Sequence, residues 1–153
     1  MITDAIEEAY RYAQQKGWPT IYWLVDIHST IAQSNYADEM PSLIPEAIPA
    51  IQTLQSFPET CLILWSSCHK HDHLRYIRHF LIEGQMKFTY FNESPEIAST
   101  ATGDFSMKPY FNILLDDKAG HRPKDWQVVV EATKMFREKY PLAKPKVDDY
   151  LIR

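Results

Sequence analysis

At 153 residues the chain is about one domain's worth and can bury a single core without disulfides or a structural metal. A hydrophobic fraction of 45% is ordinary for a globular protein, and a formal net charge of -4 leaves no broad basic surface, which argues against a dedicated nucleic-acid binder. No run approaches the ~18 consecutive apolar residues of a membrane span, and two cysteines, Cys61 and Cys68, fit neither a disulfide framework nor a common zinc spacing.

The first element is an amphipathic helix over 2–16, with Ala5, Ile6, Ala9, Tyr10 and Ala13 at helical spacing and Gly17-Trp18-Pro19 as its stop. Asp4, Glu7 and Glu8 give it none of the basic start of a signal peptide, so a cytoplasmic protein is expected. Ile21 to Val25 is a continuous apolar run that reads as a buried parallel strand and ends on Asp26. A polar, proline-containing stretch follows from Ile31 to Pro45, and then a helix with Ile48, Ile51 and Leu54 inward. Pro49 must lie in its first turn, where a proline costs no hydrogen bond. Cys61 to Trp65 is a second buried strand, ending on Ser66-Ser67. A helix over 72–82 carries Leu74, Ile77, Phe80 and Leu81 inward. Phe88 to Phe91 is a short third strand, and a Ser/Thr-rich loop runs from Asn92 to Ser106. Phe111 to Leu115 is a fourth strand, ending on Asp116-Asp117, and a last helix covers 125–140. The tail, 141–153, is expected to be loosely ordered. No repeat or domain boundary interrupts the chain, so one domain spans 1–153.

Strands alternating with helices imply a parallel sheet covered on both faces, and in such sheets ligands bind at the carboxyl ends of the strands. The polar residues at those ends are Asp26 and His28, Ser66 and Ser67, and Asp116 and Asp117. Three carboxylates gathered there would repel one another unless a cation sat among them, and Mg²⁺ takes oxygen ligands. A carboxylate not consumed by the metal can serve as a nucleophile. A serine hydroxyl can donate to a phosphate oxygen, and Lys108, just ahead of the fourth strand, can supply positive charge.

In this order, Asp26-Ile27-His28-Ser29-Thr30, the strand ending at Ser66, Lys108, and the strand ending at Asp116-Asp117 resemble the four motifs of the haloacid-dehalogenase superfamily. The chain is most similar to its small capless bacterial members, through Leu62 to Ser66, an N-x-x-P turn at Asn92 to Pro95, and Leu115 to Trp126. The resemblance covers about residues 20 to 130. It implies a three-layer Rossmann-like α/β fold, with a parallel sheet of order 3-2-1-4 flanked by helices and no cap domain. It implies a Mg²⁺-dependent phosphomonoester hydrolase in which Asp26 forms an aspartyl-phosphate. The metal would be held by Asp26, the backbone carbonyl of His28, Asp116 and Asp117. Ser66, Ser67 and Thr30 would serve the substrate, with Thr30 also orienting the first loop, and Lys108 would hold the phosphate.

The sequence departs from that pattern in three places. His28 stands where phosphatases of the superfamily carry the acid/base aspartate. Ser29 replaces a glycine, and the arginine expected soon after Ser66 is missing. Imidazole can donate and accept protons near neutrality, so His28 is a candidate acid/base. The same substitution leaves open a second reading, a phosphate- and metal-binding module with little or no turnover. The phosphorylated substrate is not specified by the sequence, and a second subunit closing the open site remains an alternative. Lys118 is the rival of Lys108. The alternating His69, His71 and His73 read as a solvated helix start rather than a metal site.

Overall fold

The computed structural model describes residues 1–34 and 39–144; the expected loose tail over 145–153 lies outside the described residues. Helix α1 (Ile2–Lys16) precedes strand β1 (Ile21–Asp26), followed by α2 (Ala47–Ser56), β2 (Thr60–Trp65), α3 (His73–Gly84), β3 (Tyr90–Phe91), β4 (Ile113–Leu115) and α4 (Asp125–Lys139). The four strands form one sheet of order β3-β2-β1-β4, with every pairing parallel. This is the α/β architecture expected from the alternation of strand and helix. Pro49 falls in the first turn of α2, as required.

Side-chain alternation sorts the two faces of the sheet. Trp23, Val25, Leu62, Leu64, Ile113 and Leu115 join Ile6, Tyr10, Ile51, Leu54, Phe80, Trp126, Val129 and Phe136 in the main core, so all four helices contribute to this face. Tyr22, Leu24 and Ile63 face the other way, against Ile97, Tyr110 and Phe111. That second covering layer comes from the irregular segment 92–112, which joins β3 at one edge to β4 at the other. The chain reverses direction across the sheet there, and a right-handed crossover must then pass over the opposite face. Ser, Thr, Gly and Pro in this segment explain why it packs without forming a helix.

Two expectations are corrected. Helix α3 buries Tyr76, Phe80 and Gly84, whereas Leu74 and Leu81 are exposed. The residues at helical spacing offered two apolar stripes, and the aromatic one wins because Phe80 packs on Phe88 while Tyr76 lies against Phe80 and Phe91. The third and fourth strands are also shorter than expected, since Phe88 and Phe111 pack without pairing as strand residues. Beyond α4, Leu142 packs on the core and Pro141 accepts a hydrogen bond from Gln14. No described helix is long and apolar enough to cross a membrane.

Candidate functional site

Because Asp26 ends β1 and Asp116 follows β4, parallel pairing of these neighbouring strands brings both acids to one rim. Carboxylate oxygens of Asp26, Asp116 and Asp117 all lie within 4.8 Å of one another. A cavity of about 480 Å³ opens above them, lined also by His28, Ser29, Trp65, Ser66, Ser67, Cys68 and Lys118. A larger hollow of about 570 Å³ between α2 and α4 gathers none of the three acids.

The turn after β1 is fixed by backbone bonds. The Ile27 carbonyl accepts from the amides of Thr30, Ile31 and Ala32, and the Ser29 amide donates to the Ala32 carbonyl at 2.7 Å. Ser29 sits at φ 65°, the left-handed region that favours glycine. The turn explains why glycine is the residue expected there. Thr30, expected to serve the substrate and orient the first loop, is fully buried and does not line the cavity. Its hydroxyl donates to Asp26 Oδ2 and accepts from the Asp117 amide, both at 3.2 Å, while its carbonyl accepts from Trp126 Nε1 at 3.0 Å. Thr30 thereby ties the turn after β1, the acidic loop and α4 together.

The acidic loop is a short 3-10 turn over Asp117–Ala119. Asp116 Oδ1 caps it by accepting from the Lys118 amide at 2.8 Å, and Lys118 Nζ lies 3.8 Å from Asp117 Oδ2. Burial, followed by the charge of Asp116 and a hydrogen bond with Asp117, pushes the Asp26 carboxyl up to about 7; the Ile27 amide and, less, the Thr30 hydroxyl oppose this. Three carboxylates with a single exposed ammonium, Lys118, beside them match the hard-cation donor set. Cations with other preferences want nitrogen or sulfur, and no histidine or cysteine belongs to the cluster.

His28 lines the cavity, and its Nε2 shares a hydrogen bond with the Tyr76 hydroxyl at 3.3 Å. The two rings meet edge to face. Burial lowers the imidazole pKa and the Asp117 charge opposes that shift, which favours the neutral ring. Ser66 is half-buried and its hydroxyl accepts from the Cys68 amide at 3.3 Å; Ser67 is exposed.

Of the expected site residues, Asp26, His28, Ser66, Ser67, Asp116 and Asp117 converge on the cavity. Lys108 does not line it. Its Nζ lies 5.8 Å from the centroid of the Phe111 ring, and Lys118 lines the cavity instead. The segment carrying Lys108 crosses the opposite face of the sheet, whereas Lys118 sits in the acidic loop itself. Sequence reasoning missed Tyr76, whose signal was the second apolar stripe of α3, and Trp65, whose place beside Asp26 follows from the register of β1 and β2. His69 and His71 stack at 5.3 Å on the exterior and belong to no metal-binding group among the described residues.

A solved structure of a conserved protein from Bacteroides thetaiotaomicron is similar to this chain. The two share 26% identity with a TM-score of 0.59, over 78% of this chain and 92% of the other. No protein-family model matches the sequence, and no significant match was found among curated proteins.

Proposed function

We propose that this protein is a Mg²⁺-dependent phosphomonoester hydrolase acting through Asp26, as its resemblance to the haloacid-dehalogenase superfamily implies. One observation carries the reading: three carboxylates lie within 4.8 Å at the carboxyl rim of a parallel sheet, in a cavity that also holds strand-end serine hydroxyls. Asp26, Asp116, Asp117 and the His28 carbonyl would hold the ion. When bound, Mg²⁺ would neutralise the acids and draw in the phosphate oxygens.

The protein's own groups then do the following. The Ser66 and Ser67 hydroxyls donate to the phosphoryl oxygens, and the Lys118 ammonium offsets their charge. Asp26 Oδ1 attacks phosphorus, since Oδ2 is occupied by the Thr30 hydroxyl. A P–O bond to Asp26 forms, the P–O bond to the leaving group breaks, and the leaving oxygen takes a proton from solvent water. A second water gives its proton to the neutral His28 ring and attacks phosphorus, the P–O bond to Asp26 breaks and restores its carboxylate, and His28 returns the proton to solvent.

The test is phosphate release from an aryl phosphate with and without Mg²⁺, comparing the wild type with Asp26→Asn. A loss of at least ~10³-fold in kcat is expected. Equal rates for the two proteins would end the proposal. A second reading, binding of Mg²⁺ and phosphate without useful turnover, is favoured by the engagement of His28 Nε2 with Tyr76, which leaves no free donor at that atom for the leaving group. Under it, calorimetry detects Mg²⁺ and inorganic phosphate binding while no aryl phosphate is hydrolysed.

A further inference from the structure

Strand β3 ends at Phe91, yet the next residue, Asn92, stays bonded to the chain leaving β2 at Ser66. Asn92 Oδ1 accepts from the Ser66 amide at 2.8 Å, and Asn92 Nδ2 donates to the Ser66 carbonyl at 2.7 Å. The Asn92 amide donates to the Leu64 carbonyl at 2.7 Å, the last backbone rung between the two strands. Asn92 itself stands at φ 54°, left-handed for a residue with a side chain. Main chain and side chain are therefore used differently. The backbone turns out of the sheet into the 92–112 crossover, while the carboxamide stays behind and substitutes for the peptide group that the departing strand removes. An amide is the neutral side chain that offers an acceptor and a donor together in this way.

The same substitution occurs at the far rim. Asn112 Oδ1 accepts from the Tyr22 amide at 2.8 Å, and the Asn112 amide donates to the Tyr22 carbonyl at 2.8 Å, one residue before β4 begins. There it touches no reactive group. Asn92, by contrast, clamps Ser66, which lines the cavity beside the acids.

We infer that Asn92 is a positioning residue for the phosphate subsite, acting through Ser66 by fixing both polar groups of its backbone. The inference rests on the proposed phosphoryl chemistry. Half-buried strand ends fray when their ladder stops, and a displacement of about 1 Å in a phosphate donor costs up to ~10²-fold in rate. Asn92 touches neither the acids nor the metal position, so its loss acts on phosphate and leaves Mg²⁺ binding alone.

The test uses the full chain with Asn92→Gly and Asn92→Ala. Glycine accepts the left-handed backbone without strain and so keeps the turn. Both variants are expected to raise the KM for an aryl phosphate and the Ki for inorganic phosphate by ~10-fold or more, with Mg²⁺-induced thermal stabilisation unchanged. If Asn92→Gly keeps wild-type KM and Ki while Asn92→Ala does not, only the backbone conformation matters and the inference is overturned. A wild type that binds phosphate without turnover ends the hydrolase reading alone, and the phosphate Kd of Asn92→Gly then decides the inference. A wild type that binds no phosphate overturns both.

Discussion

The two rims of the sheet each bury acid, and they treat it in opposite ways. At the amino rim, Glu59 is 8% exposed and fully matched. Arg137 Nε donates to Oε1 at 2.7 Å and its NH2 group to Oε2 at 3.1 Å, while the Tyr10 hydroxyl donates to Oε1 at 3.0 Å. The guanidinium lies 4.1 Å from the centroid of the Phe57 ring. Burial alone would raise the Glu59 pKa, but the Arg137 hydrogen bonds and the Tyr10 hydroxyl together bring it below the ordinary value. At the carboxyl rim, burial and then two further acids push the Asp26 pKa up. Charge that a protein balances internally stabilises its fold. Charge that it leaves unbalanced in a cavity is available to an outside cation.

Breaking the amino-rim clamp is expected to have the larger effect. Arg137→Met leaves Glu59 buried and unpaired, at a cost of about 3 kcal/mol, which is roughly 6–12 °C in Tm for a chain of this size. Adding Glu59→Gln should restore part of that loss, and urea denaturation of the single and double variants measures it. Neither change should alter the Mg²⁺ response. At the other rim, Mg²⁺ at about ten times its Kd should raise Tm by ~3–6 °C at pH 8. The shift should shrink at pH 5, where Asp26 is protonated in the folded protein and competes for the metal position. Asp26→Asn should remove most of it. A wild-type Tm indifferent to Mg²⁺ at pH 8 would erase the contrast between the rims.

The smallest effect is also the sharpest test, because the two acids give opposite pH slopes in a chelator. Asp26 has a folded pKa of about 7 against about 3.9 unfolded. The folded state therefore binds the extra proton between those values, stability falls as pH rises through that window, and it is flat above it. Glu59 has a lowered folded pKa, so its contribution is present above about 4.3 and is lost as pH falls through the folded value. Asp26→Asn should flatten the slope between pH 4 and 7 and stabilise the metal-free protein at pH 8 by up to about 1 kcal/mol. Glu59→Gln should leave that slope intact and flatten the acid limb below it.

Much of this contrast could be read before any coordinates. The acidic ends of β1 and β4 are visible because a continuous apolar run that stops on a carboxylate marks a strand leaving the core. Parallel order then carries those stops to one rim. The Glu59 clamp was not legible. Tyr10 lies in α1, Glu59 in the turn before β2 and Arg137 in α4, and nothing local marks a charged residue whose partner is 78 positions away. Lys108 shows the same limit from the other side. Its spacing before Asp116 suits the site, but spacing does not report which face of the sheet its segment crosses.

What the sequence determined by itself is the alternation of elements, the buried character of the strands and the polar groups at their ends. These depend on periodicity and on where apolar runs stop, and both are local. Tertiary structure alone decided that α3 turns Tyr76 towards His28, that Thr30 links two loops from beneath, that Lys118 rather than Lys108 lines the cavity, and that Asn92 holds Ser66. Each of these is a choice among partners equally compatible with local rules, and it is settled by which contacts can be satisfied together in one packed core.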